Sequence, residues 1–193
     1  MKNIINLITS SNWNSILEGY NVKDVVNLLP FKELIILAYK MLYNGDWDEE
    51  VQNYAVKLLY AVREKYQEEW NSSWNFDAFL GNACNITLKY DERYTAYKKA
   101  SEKVYPIPPS LMVLLAKCYI SPGTPPVSQE EAESLLREAL KQERTIEGVS
   151  LLKRICERKK DMEQAEYWDK VLKEVEEKNL HIHDIQPSFL KDL

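Results

Sequence analysis

The residues best suited to chemistry in this 193-residue chain include two histidines close to its end. His181 and His183 flank a single isoleucine and precede Asp184. In an extended segment both imidazoles would face the same side, which is an arrangement suited to a metal ion such as zinc. The chain holds no other histidine, and no cysteine lies close to this pair in sequence. We therefore predict a structural tail here and no metal site.

A second candidate is a run of acids that could act as cation ligands or as a pair of catalytic carboxylates. The run consists of Asp46, Asp48, Glu49 and Glu50. Acids in the first turn of a helix are stabilised by the positive end of the helix dipole, so we interpret the run as a solvated cap. The sequence also lacks a glycine-rich phosphate loop and a nucleophile elbow. It therefore predicts no catalytic residue, no cofactor and no enzymatic activity.

The cysteines are the third group of chemically active side chains. Cys84, Cys118 and Cys156 form an odd set with separations of 34 and 38 residues. A set without close pairs fits a reducing compartment and no disulfide framework. The even spacing predicts small apolar packing residues at the same place in successive helical units. A reactive thiol is the alternative, but no flanking base or Cys-x-x-Cys motif supports it.

Composition and charge define the elements that must position these residues. The chain is 45% hydrophobic with only five glycines and is rich in Leu, Glu, Lys and Ala, which favours an all-α protein. A net charge of −5 with interleaved acids and bases predicts no nucleic-acid partner. Apolar runs such as 34–39 are far shorter than the roughly 20 residues of a membrane span. The N-terminus is too polar for a signal peptide, so we expect a cytoplasmic protein.

A helical hairpin is predicted over residues 37–54 from the spacing of small and aromatic residues. Ala38 and Met41 share one face of the first helix. Gly45 can end that helix in a left-handed conformation, and Asp46 can cap the next one. Tyr54 follows Ala38 by 16 residues. A single hairpin cannot bury its apolar face alone, so this pattern predicts stacking on similar neighbours.

The pattern recurs further along the chain. Gly81 and Cys84 repeat the small residue and its partner, and Tyr97 again follows the small residue by 16 positions. A weaker copy around Cys156 has Asp161 as the predicted start of its second helix. Repetition at these intervals indicates about four hairpins.

The third copy contains an insertion. Its second-helix triplet is displaced by four residues and consists of Ala132, Leu136 and Ala139. The loop 121–127 is rich in proline and precedes Ser128 and Glu131, which form a capping-box signature. The loop is either a binding loop or a lengthened connection, and the second interpretation is favoured because longer loops have a low entropic cost.

These spacings resemble the tetratricopeptide repeat over about residues 31–178. The segment 44–49 is similar to the turn between the two helices of that repeat. The resemblance implies a right-handed superhelix of antiparallel helical hairpins, an α-solenoid whose concave face is lined by the first helix of each hairpin and binds peptides. Glu50 and Arg93 depart from the family pattern, since the family usually has alanine there.

The segments flanking the repeats are assigned separately. Residues 1–30 are predicted to form an N-terminal helical cap, with Trp13 and Ile16 on one face and a second segment that opens at Asn21. Residues 179–193 lose helical periodicity, so we predict an extended C-terminal tail.

The exposed side of the first helices gives the predicted partner-binding residues. They change from aromatic through amide to basic along the array. The set is Tyr39, Tyr43, Asn82, Asn85, Lys117, Arg154 and Arg158. Amides bond peptide backbones, and cations meet acidic groups. The alternative is an ordinary solvated surface.

Taken together, the sequence predicts a non-enzymatic scaffold or adaptor that binds a protein or peptide segment on its concave face. The runner-up is a bacterial immunity-type protein that neutralises a cognate toxin by direct binding, because compact acidic helical proteins suit that role. Neither prediction involves a membrane, and both leave the oligomeric state open.

Overall fold

A computed structural model of the protein describes residues 2–43, 48–183 and 185–190. Within these ranges the chain forms 12 α-helices and two short 3-10 turns, and no β-strand. The all-α prediction is therefore confirmed for the described part of the chain. The helices are α1 Lys2–Thr9, α2 Trp13–Gly19, α3 Val22–Leu28, α4 Phe31–Tyr43, α5 Glu49–Lys65, α6 Gln67–Asn71, α7 Trp74–Ile86, α8 Tyr90–Glu102, α9 Pro109–Lys117, α10 Gln129–Gln142, α11 Ile146–Arg158 and α12 Met162–Glu177.

The chain divides into two compact units. The first consists of Met1–Arg93 together with Gln186–Leu193, and the second consists of Tyr94–Ile185. In the first unit α5 is central, because α2, α3, α4, α6 and α7 all pack against it. In the second unit α9 packs on α10, α10 on α11, and α11 on α12. The superhelix and its handedness stay predictions.

The helix starts follow from local side-chain chemistry. Ser128 caps α10, since its hydroxyl accepts a hydrogen bond from the amide of Glu131 at 3.1 Å. Asp161 caps α12 by accepting from the amide of Gln164 at 3.2 Å. Both predicted caps are confirmed, and each satisfies a backbone donor that the helix itself leaves without a partner. The predicted turn at Gly45 and Asp46 lies outside the described residues.

The region before α4 is more divided than the sequence pattern indicated. Three short helices replace a hairpin, because α1 precedes the two predicted segments. Asn21 caps α3, as the second segment predicted, and its side chain accepts from the amide of Asp24 at 3.0 Å. Trp13 and Ile16 are buried, in agreement with the predicted apolar face.

The cysteines lie in the cores of the two units. Cys84 on α7 is fully buried, as are Cys118 and Cys156 in the second unit, and none of the three forms a disulfide. Burial raises the pKa of Cys84 to about 11 and also raises the pKa of Cys156. Deprotonation is thereby disfavoured, which fits their predicted packing role.

The C-terminal segment differs from the predicted extended tail. It forms a 3-10 turn at Ser188–Leu190, and Gln186, Pro187 and Leu190 are buried. Burial of the apolar side chains of Pro187 and Leu190 is the physical reason that this short segment is held in place. Across the described residues, the helices are all too short or too polar to cross a membrane.

Candidate protein-binding surface on α4 and α7

The two predicted tyrosines pack against each other on α4, with their ring planes tilted by 39°. The ring centroids of Tyr39 and Tyr43 lie 4.9 Å apart, and Tyr39 also lies 6.4 Å from the ring of Phe79 on α7. Phe79 is fully buried, Tyr39 is half-buried and Tyr43 is 43% exposed. The aromatic row therefore leads from the core of the first unit to its surface, with the inner rings fixing the orientation of the outer one.

The polar part of the same surface comes from α7. Asn82 is half-buried and follows Phe79 by almost one turn, so both share a helix face with Asn75. On α4 the same periodicity places Lys32 on the face of Tyr39. We call the surface formed by Lys32, Tyr39, Tyr43, Asn75 and Asn82 the α4–α7 surface.

The helices that carry this surface are joined by a second aromatic contact near their N-terminal ends. Phe31 of α4 meets Phe76 of α7 edge-on, with ring centroids 5.1 Å apart. Phe76 also packs on Trp70, which is buried and donates to the Asp77 carboxylate at 2.9 Å. The surface thus stands on a rigid aromatic core, as a preformed binding site requires.

Asn85 has a partner within the chain. Its side-chain oxygen accepts a hydrogen bond from Nη1 of Arg93 at 2.6 Å, although Asn85 itself is exposed. Arg93 is buried, and its guanidinium lies 5.1 Å from the ring centroid of Tyr90. Asn85 therefore stabilises the large residue that stands where the repeat family has alanine. Its role in partner binding stays a prediction.

The predicted basic residues belong to the second unit. Lys117 is half-buried at the end of α9, and Arg154 is exposed one turn before Arg158 on α11. Arg158 donates to the hydroxyl of Tyr119 at 3.0 Å and lies 5.5 Å from its ring centroid. The Tyr119 hydroxyl donates in turn to Gln129 at 2.7 Å. This chain of contacts holds the Arg158 guanidinium in one orientation at the surface.

The inserted loop 121–127 is anchored at both ends. Ser121 is buried and donates to the carbonyl of Cys118 at 2.8 Å, and Val127 is buried as well. The middle of the loop is exposed, and Gly123 has a φ of +79°, a conformation that favours glycine. The arrangement fits a lengthened connection. A binding role for this loop stays the alternative.

The early acids serve as a helix cap where the structure describes them. Asp48 accepts from the amides of Glu50 and Val51 at 3.0 and 3.1 Å. Glu49 and Glu50 are exposed in the first turn of α5. Asp46 lies outside the described residues. No group of three metal-binding side chains occurs in residues 2–43, 48–183 and 185–190.

The two histidines bind glutamates and hold the chain after α12 against the second unit. Nδ1 of His181 lies 2.8 Å from Oε1 of Glu147, and Nε2 of His183 lies 2.8 Å from Oε1 of Glu143. The His183 amide also donates to the hydroxyl of Ser110 at 3.1 Å. Each imidazole thus has a carboxylate partner of its own.

Glu147 makes this attachment dependent on pH. Burial raises the pKa of its carboxyl, but hydrogen bonds from His181 and from backbone amides lower the pKa more, and the net pKa is below the ordinary value of 4.5. A depressed pKa stabilises the folded state above pH 4.5, and the contribution is lost as the pH falls through the folded value.

We expect the Glu147→Gln variant to lose less stability than the wild-type protein between pH 6 and pH 3, because this titration is removed. Urea unfolding at pH 6, 4 and 3 measures the difference, with exposed Glu163→Gln as the control. A wild-type pH profile in Glu147→Gln would contradict the assignment of the titrating group.

Each unit contains at least one concave region outside the α4–α7 surface. An apolar groove of about 450 Å³ is lined by residues of α1, α3 and α4, including Ile5, Leu28 and Ile36. A charged recess of about 380 Å³ lies between α11 and α12, where Asp169 pairs with Lys153 and Lys173. The ion pairs within the recess already neutralise its central carboxylate.

Lys32 and Asn75 were missed as members of the α4–α7 surface. Each precedes a predicted binding residue on its own helix by seven positions, which are Tyr39 and Asn82 respectively. Extending the predicted face by two turns would have identified both. Their contact with the C-terminal segment had no local signal, since it joins residues more than 100 positions apart.

Comparison with known proteins gives no match to a family model, a curated protein or a solved structure.

Proposed function

We propose that this protein is a non-enzymatic interaction module, a scaffold or adaptor that binds a peptide or protein segment on the α4–α7 surface. The observation that carries the proposal is the ring contact between Tyr39 and Tyr43, whose outer ring is 43% exposed on a helix with a buried opposite face. Tyrosine is enriched in protein interfaces because it combines a large apolar area with a hydroxyl group.

The remaining chemistry of the surface favours an extended polypeptide. Asn82 supplies a side-chain amide beside the aromatic row, and such a group donates to carbonyls and accepts from amides of a peptide backbone. Tyr39 rests on the buried ring of Phe79, so little side-chain freedom is lost on binding. Aromatic side chains of the partner would pack on the tyrosines while its backbone bonds the amide.

The second unit offers cations for acidic groups of a larger partner. Arg154 and Arg158 project from the same side of α11, and contacts with Tyr119 hold Arg158 in place. Arginine recognises carboxylates through paired hydrogen bonds. The free, buried cysteines agree with a cytoplasmic location, which is part of the same proposal.

The test compares captured partners of the wild-type chain with those of Tyr43→Ala, using quantitative mass spectrometry on native-cell extracts. Loss of a central exposed aromatic residue typically weakens an interface by about 2 kcal/mol, which is roughly thirtyfold in affinity. We expect Tyr43→Ala to reduce recovery of the bound partner accordingly.

The matched control is Tyr167→Ala, since Tyr167 is a similarly exposed tyrosine on α12, with 46% of its surface accessible. The control is expected to retain the partner. Equal recovery by the wild-type chain and Tyr43→Ala would contradict the proposal, provided that circular dichroism shows both to be folded.

A further inference from the structure

The C-terminal segment of the chain is seated on the first unit in the manner of a bound peptide. The side-chain amide of Asn75 lies 3.5 Å from the carbonyl oxygen of Gln186 and donates to it. The ring of Phe189 packs on Phe76 with centroids 6.4 Å apart, and the Lys32 ammonium lies 5.4 Å from the centre of the same ring. A hydrogen bond to its backbone, an aromatic contact and a cation–π contact thus hold the segment on the first unit.

The segment has the physical features of a ligand more than those of a structural element. Its own regular structure is a single 3-10 turn, closed by the bond from the Leu190 amide to the Pro187 carbonyl at 2.9 Å. Its contacts with this unit include the hydrogen bond from Asn75 to its backbone and the contacts of the Phe189 ring with Phe76 and Lys32. Leu190 is 2% exposed and Pro187 is buried, so that apolar anchors flank the aromatic residue.

The receptor residues for this segment belong to the α4–α7 surface. Lys32 lies on the same face of α4 as Tyr39, and Asn75 lies on the same face of α7 as Asn82. The segment therefore covers one end of the surface, and Tyr43 is about 16 Å further along α4 at 1.5 Å per residue. The interpretation of the covered end as a partner site rests on the proposed function.

We propose that this end of the α4–α7 surface is a binding site for a short segment with proline followed by an aromatic and an aliphatic residue, and that the chain's own Gln186–Leu190 occupies it as an internal competitor. A partner of the same chemistry gains access by displacing the C-terminal segment. Asn75 bonds the partner's backbone, Phe76 and Lys32 contact its aromatic ring, and the aliphatic residue is buried beside them.

The competition has a predictable size. A segment of the same chain competes at an effective concentration that is on the order of millimolar for short flexible tethers and lower for longer ones. The apparent affinity for an added peptide falls in proportion to the fraction of molecules with the site open. An intact C-terminal segment should therefore weaken binding of an external copy by about tenfold or more.

The experiment measures fluorescence anisotropy of a labelled, amidated peptide with the sequence of residues 185–190, titrated with the full-length protein. We expect full-length Phe189→Ala to bind this wild-type peptide at least about tenfold more tightly than the wild-type protein does, because its own segment competes poorly. The matched control is Ser188→Ala, since Ser188 is exposed, and it should bind like wild type.

Two further variants locate the site. A peptide with Phe189→Ala should lose binding, whereas a peptide with Ser188→Ala should retain it. Asn75→Ala in the Phe189→Ala protein should weaken peptide binding about tenfold, the factor for one lost hydrogen bond of about 1.4 kcal/mol. If Phe189→Ala unfolds, Phe189→Leu gives the same comparison, since it keeps apolar volume.

The proposal would be overturned if the Phe189→Ala protein bound the peptide with the same affinity as the wild-type protein. Where Phe189→Leu is used instead, the same comparison applies to it. An unchanged affinity of the peptide that carries Phe189→Ala would also overturn it. Tyr167→Ala, placed in the Phe189→Ala protein, should leave peptide affinity unchanged, because Tyr167 lies on α12 and belongs to the second unit. Failure of the internal competitor is thus distinguishable from failure of the proposed function, which Tyr43→Ala tests with the captured partner.

Discussion

Replacing Trp70 with Ala is expected to lower the free energy of unfolding by about 3–5 kcal/mol. Trp70 is 1% exposed, and its ring packs on Phe76 at a centroid distance of 5.7 Å. The change leaves a cavity in the aromatic core of Phe31, Phe76 and Trp70, which supports the α4–α7 surface. It also removes the indole donor that lies 2.9 Å from the Asp77 carboxylate, which is itself buried. Loss of a donor to a buried acceptor adds to the cost of the cavity.

Urea unfolding followed by tryptophan fluorescence and circular dichroism measures this effect. Trp70→Phe fills most of the volume and should lose only part of the stability, mainly the hydrogen bond. Glu69→Ala, at the exposed neighbouring position, is expected to change stability by less than about 0.5 kcal/mol. If Trp70→Ala lowered the free energy of unfolding by less than about 1 kcal/mol, tight packing of this aromatic core would be contradicted.

The second large effect is expected at Gly148 in α11, where three side chains leave no room for a larger residue. A Cβ atom there would lie 3.0 Å from Leu140, 3.1 Å from Val113 and 3.2 Å from Thr145. All three neighbours are buried, and they come from α10, α9 and the cap of α11. Gly148→Leu should therefore destabilise the protein by about 3 kcal/mol through overpacking.

Gly19 provides the matched control, since no atom lies within 4 Å of a Cβ built at that position in α2. Gly19→Ala is expected to change stability by less than about 0.5 kcal/mol, because Gly19 is the last residue of α2 and the preference for alanine is largest in helix interiors. Thermal and urea unfolding compare both variants with wild type. If Gly148→Leu were as stable as wild type, the close approach of the three helices would be contradicted.

Local signals allowed much of the helical structure to be predicted. Ser128 and Asp161 mark helix starts through caps formed within three residues, so their effect is encoded locally. The buried Ala38 and Gly81 follow a periodicity that depends on helix geometry alone. The division of the first 30 residues into three helices was missed, because α1 is only eight residues long and its apolar residues were not assigned to a helix of their own.

The features that could not be predicted from the sequence depend on contacts between residues far apart in the chain. Nothing close to His181 indicates that Glu147 binds it, because the two are 34 residues apart in sequence. The hydrogen bond between Asn85 and Arg93 explains how a large residue fits where alanine was expected. It also gives the Asn85 side chain a role in the stability of the fold. The seating of Phe189 on Phe76 likewise depends on the return of the chain end to the first unit.

The positions of the aromatic residues in the candidate surface could be predicted from the sequence. The contact of the C-terminal segment with one end of that surface could not. Helical spacing placed Tyr39 and Tyr43 on one exposed side, and the structure brings their rings together. The same spacing extends to Lys32, which contacts the C-terminal segment instead of solvent alone. Helical spacing can thus place residues on a common face without indicating the segment that covers part of that face.

The central claim is that the α4–α7 surface binds a protein partner, and site-specific photo-crosslinking tests it most directly. A benzophenone amino acid replaces Tyr43 in one full-length protein and Tyr167 in a second, and both are irradiated in the native cell. The account predicts that position 43 crosslinks a defined partner, identified by mass spectrometry, while position 167 does not. Crosslinking of the same proteins from both positions, or none from position 43, would contradict it.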